Sequence, residues 1–355
     1  MGTAGEGGSL KSDQAKTDGD PLIIILDTNI WIKEHLLRTA TGAAFLYAVR
    51  QIGGKLLLPD VTRREIIACV ARTGADAVKN MERGLSIVQK FTGSCPGITL
   101  PSQDAFRQSA EARLNEISDV VTSVEILERH LRNALNRVIE RRPPASSTEQ
   151  FRDCLLWECS LDVNQNCLLV TEDGDFLDKN DKGKVLSPAL ADEGAGRVRL
   201  FLSIADALRS IQPQLPHIND EAIAQALGDA VLSEIERHIS DQGWQTGHRV
   251  GSSIELYATE RPNATAAVFT LEFQALGGED LYGRSVEEGV ARISGECILT
   301  SDLDISELAL NEFQLATLEG DRMKGGAVFA KGATLTIGTP ILPYSVRAPV
   351  PRKPA

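Results

Sequence analysis

The sequence predicts an α/β domain built on a parallel sheet, followed by an α+β domain with an antiparallel sheet. Three observations predict this. Short apolar runs alternate with helical patterns over residues 21–211, and the runs are continuously apolar, as strands covered on both faces are. Carboxylates stand just after two of those runs, where open α/β sheets bind ligands. After about residue 250 the hydrophobic pattern changes to period two.

Residues 1–20 are polar and glycine-rich and read as a disordered leader. Leu22-Ile-Ile-Ile-Leu26 reads as a buried strand ending at the turn and cap residues Asp27-Thr28-Asn29. A helix follows at 41–51, a short strand at 55–58, and helices at 61–72, 75–91 and 103–141. Arg142-Pro-Pro-Ala-Ser-Ser-Thr148 breaks the pattern, and a helix resumes at 149–162. Cys167 to Thr171 is a second apolar strand, followed by Glu172-Asp173-Gly174-Asp175-Phe176. Short strands at 185–186 and 198–202 and a helix at 204–211 complete the first domain, 21–211. Gln212-Pro-Gln-Leu-Pro-His217 is a linker. The second domain, 218–342, has one helix at 220–241. Its strands fall at 253–259, 265–275, 291–300, 308–317 and 326–339, with Arg261-Pro-Asn as a hairpin signal. Residues 343–355 are proline-rich and basic and read as a loose tail.

The chain has 355 residues, enough for two domains of ordinary size, and its 42% hydrophobic and 24% charged content is that of a globular protein. No apolar run approaches the ~20 residues that span a bilayer, and the N-terminus lacks the pattern of a signal peptide. The six cysteines form no CxxC pair, and four lie in apolar stretches, so buried thiols in a reducing cytoplasm are expected. Net charge is −12, which speaks against a nucleic-acid partner until its distribution is read. Residues 211–355 carry 20 acidic and 11 basic side chains, whereas residues 21–210 carry 25 and 24. The acidity belongs to the second domain, and the first can hold a local basic surface.

Five carboxylates stand out by position: Asp27, Glu65, Asp153, Asp173 and Asp175. Mg²⁺ and Mn²⁺ prefer oxygen ligands, and such a set beside a phosphodiester is the basis of divalent-metal catalysis. Each acid also has a purely structural reading. Asp27 can cap a helix or turn. Thr62-Arg-Arg-Glu65 fits a capping box. Asp153 can be a solvent-facing helix residue, and Asp173 and Asp175 suit a turn. Glu158 lies about 140° round the helix from Asp153 and should face elsewhere, whereas Glu149 shares its face.

In these motifs the chain resembles the PIN-domain nucleases, especially the longer PIN-like bacterial group. The resemblance covers about 21–210. It rests on the strand ending in Asp27-Thr28-Asn29, on Pro59-Asp-Val-Thr-Arg-Arg-Glu65, on Phe151-Arg152-Asp153, and on Leu168-Leu-Val-Thr171-Glu-Asp173-Gly-Asp175-Phe176. It implies a three-layer α/β/α sandwich and metal-dependent cleavage of single-stranded RNA, sometimes of structured or flap DNA, leaving a 5′-phosphate and a 3′-hydroxyl. Asp27, Asp153 and Asp173 would bind Mg²⁺ or Mn²⁺ directly, and Glu65 and Asp175 directly or through water. Asn29 and Thr171 would orient those ligands. Two features depart from the family pattern. The stretch between Glu65 and Asp153 is long and helical, and the last motif offers both Asp173 and Asp175, of which Asp173 is nearer the strand end.

With the five acids set aside, residues 21–210 are net positive. Arg141, Arg142 and Arg152, with Arg137, gather before and on the Asp153 helix, and Arg63 and Arg64 precede Glu65. They are candidate phosphate contacts, or equally a solvated helix end. The expected partner is nucleic acid, RNA ahead of DNA, with no membrane. The acidic second domain is a candidate for a protein partner, a regulatory ligand or homo-oligomer formation. The alternative functions are a catalytically weak scaffold whose second domain binds a partner, and a metal-dependent phosphatase using the same acids.

Overall fold

Ile23, Ile24, Ile25 and Leu26 are all buried, and they alternate between two cores. Ile23 and Ile25 pack with Trp157, Leu169 and Phe176, whereas Ile24 and Leu26 pack with Phe45, Leu168 and Val170. A strand covered on both faces is the reason this segment is continuously apolar. The computed structural model describes residues 21–331 except 95–96, 147–149, 164, 179–184, 217–219, 241–242, 280–284 and 320–321. The expected leader and tail, Glu149 and the end of the last expected strand lie outside those residues.

The first unit runs β1 (Ile23–Leu26), α1 (Thr28–Lys33), α2 (Ala40–Gln51), β2 (Lys55–Pro59), α3 (Asp60–Thr92), α4 (Gln103–Glu116), β3 (Val121–Val124), α5 (Glu128–Glu140), α6 (Phe151–Leu161), β4 (Cys167–Val170), α7 (Pro188–Gly194), β5 (Val198–Phe201) and α8 (Ile204–Ile211). Its five strands are parallel, in the order β3-β2-β1-β4-β5, with helices on both faces. The chain moves outward from β1 to β3 and then returns to the other side of β1. The order therefore reverses between β1 and β4, and their carboxyl ends flank a crevice.

Three expectations change. The helix expected over 103–141 is two helices separated by the edge strand β3, rich in the β-branched residues Val121, Thr122 and Val124, which pairs with β2 through Leu56–Val121 and Leu58–Ser123. The helices expected at 61–72 and 75–91 are one helix, α3. Gly74 sits inside it because the Phe106 ring of α4 occupies the space of a side chain; a Cβ there would stand 2.5 Å from the ring. The strand expected at 185–186 is only an isolated bridge, Leu177–Leu186.

The second unit contains α9 (Asp220–Ser240) and β6 (Gln245–Ala258), β7 (Ala264–Glu279), β8 (Ser285–Thr300), β9 (Ile305–Glu319) and β10 (Arg322–Lys331). The strands form an antiparallel meander in sequence order. α9 buries Leu227, Val231 and Ile235 against Phe269, Leu271 and Phe273. The two units share a core: Tyr257, Ala266 and Ile298 pack into the cluster that holds Phe45 and Val49 of α2. Within it the Glu296 Oε2 of β8 accepts a buried 2.7 Å hydrogen bond from the Thr41 N–H. No described helix is long and apolar enough to cross a membrane.

Candidate active site

Asp27 follows β1 directly and caps α1. Its Oδ1 accepts the Thr28 N–H at 2.6 Å, and its Oδ2 accepts the hydroxyl of Thr171, just past β4, at 2.7 Å. Thr171 Oγ1 in turn accepts the Asp173 N–H at 3.0 Å. The buried Thr171 thus ties the two strand ends together and sets Asp27 and Asp173 side by side. Asp173 caps a 3-10 turn at Gly174–Phe176, taking the Asp175 N–H at 2.8 Å.

Glu65 reaches the same place from α3. That helix begins at Asp60, with Pro59 as its cap, so Thr62 lies inside it and the capping box does not form. Glu65 Oε2 instead accepts the Thr28 hydroxyl at 2.9 Å, and Oε1 pairs with Arg152 of α6. Asp153, the next residue on α6, completes the group. Asp27, Glu65, Asp153 and Asp173 line one cleft of about 500 Å³, together with Thr28, Asn29, Lys33, Gln150 and Arg152.

Burial and crowding raise two of these acids, Asp153 and Asp27. Burial, and then the negative charges of Asp173 and Asp27, push Asp153 up to about 7, against the smaller opposing effect of Arg152. Burial also raises Asp27, although its bonds from Thr171 and Thr28 oppose the shift. Asp175 is not among the cleft-lining residues; its Oδ2 accepts the Gln150 side chain at 3.3 Å, and its charge acts more weakly on Asp153.

Of the arginines expected near substrate, Arg152 lines the cleft, whereas Arg63, Arg64, Arg141 and Arg142 do not. Arg142 pairs with Glu140 and Glu193. Arg137 is buried and neutralised by Glu158 and Glu193, which also accounts for Glu158 facing away from the cleft. Sequence reasoning missed Thr28, Lys33 and Gln150. Reading 28–33 as a helix would have put Thr28, Asn29, Ile32 and Lys33 on one face. Cys154, Cys159, Cys167 and Cys297 are buried free thiols; Cys69 is half-buried and also free.

The donor set suits a hard divalent cation: four carboxylates face one cleft, and their mutual repulsion is what such an ion relieves. The arrangement is not closed around one point, however. Among the described residues no group of three His, Cys, Asp or Glu side chains is arranged to hold a metal ion.

The family model described as PIN domain matches residues 24–176, a span that begins in β1 and ends at Phe176 beyond Asp173 and Asp175. No curated protein and no solved structure matches the chain. PIN domains are generally nucleases and typically use divalent metals. Over residues 24–176, a little under half of its length, the chain matches the PIN-domain family.

Proposed function

We propose that the protein is a Mg²⁺- or Mn²⁺-dependent nuclease that hydrolyses phosphodiester bonds, with single-stranded RNA as its first substrate. One observation carries the reading: Asp27, Glu65, Asp153 and Asp173 come from four separate elements and meet in one cleft where the strand order reverses. A divalent cation bound there supplies a polarised water and neutralises charge on the phosphate oxygens. Asp27, Asp153 and Asp173 are its direct ligands in this reading. Glu65 and Asp175 act directly or through water, Thr171 holds Asp27 and Asp173 in place, and Asn29 stands at the cleft edge. Arg152 is the guanidinium placed to meet a substrate phosphate.

The second unit, acidic in sequence, is read as a regulatory or partner-binding element and not as a nucleic-acid grip. The buried free thiols suit a reducing compartment such as the cytoplasm.

The test is a cleavage assay on labelled single-stranded RNA and DNA with Mn²⁺, Mg²⁺ or EDTA, comparing wild type with Asp153→Asn. Metal-dependent cutting lost in the variant supports the reading, and the preferred polymer names the substrate. A second reading, a scaffold without catalysis, draws on the unclosed donor geometry. It predicts no cutting of either polymer and no metal binding by calorimetry.

A further inference from the structure

Glu65 is engaged from both sides. Thr28 donates to one oxygen and Arg152 pairs with the other, across 87 residues of sequence. Arg152 precedes Asp153 on the first turn of α6, and its side chain is 64% exposed at the cleft mouth. It contributes attraction to both Asp27 and Asp153. The cleft therefore carries its own positive charge, and that charge sits on the carboxylate a cation would need.

We propose that Arg152 is an exchangeable counter-ion: it holds Glu65 while the cleft is empty, gives it up when a divalent cation enters, and is thereby freed to meet the substrate phosphate. Its exposure leaves the guanidinium room to swing without repacking the core. Exchange also makes chemical sense, because a dication neutralises several of these acids at once, whereas one guanidinium pairs with a single carboxylate. Arg152 is thus a positioning residue acting through Glu65, and metal and Arg152 compete for that carboxylate. The proposal rests on the metal-nuclease reading.

Mn²⁺ binding to the full-length protein tests it, without nucleic acid, with the dissociation constant read from the spin-resonance signal of free Mn²⁺. Arg152→Gln is expected to bind Mn²⁺ about two- to fivefold more tightly, the range an exposed ion pair allows. Lys33→Gln removes another cleft cation, one paired with Glu172 and not with Glu65, and is expected to stay within twofold of wild type. Thermal melts confirm that both variants fold. Unchanged or weaker binding in Arg152→Gln overturns the proposal. Equal tightening in both variants also overturns it, because any nearby charge would then serve. Failure of the wild type to bind Mn²⁺ at all is a separate result, and it sinks the metal-nuclease reading itself.

Discussion

Glu34 caps the C-terminus of α1 and is only 8% exposed. Its carboxylate accepts the Thr39 hydroxyl and faces Glu296 of the second unit, which is 5% exposed. Burial first, and then the charge of Glu296, raise Glu34 from its ordinary 4.5 to about 7; Thr39 and Lys33 oppose this, and Glu172 adds to it. The sign follows from linkage. Because the folded value lies above the unfolded one, the folded protein holds an extra proton between about 4.5 and about 7. The contribution of Glu34 to stability is therefore greatest below that window and is lost as pH rises through about 7. Each tenfold difference in proton affinity is worth roughly 1.4 kcal/mol, so the loss at pH 8.5 is on the order of 3 kcal/mol. Glu34→Gln keeps an oxygen for Thr39 and removes the charge. Urea unfolding at pH 5 and pH 8.5 is the assay. The variant should match wild type at pH 5, gain up to about 3 kcal/mol at pH 8.5, and show the flatter pH profile. A variant whose stability falls with pH as steeply as that of wild type would refute the reasoning.

Asp153→Asn should abolish cleavage yet raise the melting temperature of the metal-free protein at pH 8, since it removes a carboxylate that burial and its neighbours hold near 7. A lower melting temperature would contradict that electrostatic account. Thr171→Val unlinks Asp27 from Asp173 while keeping the side-chain volume; cleavage should fall about 10- to 100-fold, less than for Asp153→Asn, with metal affinity falling in parallel. Arg137→Met removes the buried guanidinium that neutralises Glu158 and Glu193 and should cost about 3–5 kcal/mol in chemical unfolding, with Mn²⁺ affinity of the folded protein unchanged.

The parallel sheet and most of the acid cluster are legible in the order of residues. Continuous apolar runs ending in Asp27 and in Thr171-Glu-Asp173 reflect burial on both faces, and a strand's carboxyl end is a local property of its own residues. Helical period likewise separates Glu158 from Asp153. The place of Glu65 in the cleft is legible only through the family pattern, because locally Thr62-Arg-Arg-Glu65 fits a capping box equally well. Folding resolves that ambiguity by starting α3 at Asp60 and offering Thr28 and Arg152 as partners. It also makes a strand of Val121–Val124, because an edge of the sheet is open beside β2. Arg137 and Arg142 join Glu158 and Glu193 away from the cleft, whereas Arg152 comes to line it. The difference is one of range: periodicity and turn chemistry act over a few residues. The contacts that set the site's charges bridge Arg152 to Glu65 over 87 positions and Thr171 to Asp27 over 144, and a bond joining the two units bridges Thr41 to Glu296 over 255. Only folding brings such groups within bonding distance, and there burial and like charge fix which of them stay ionised.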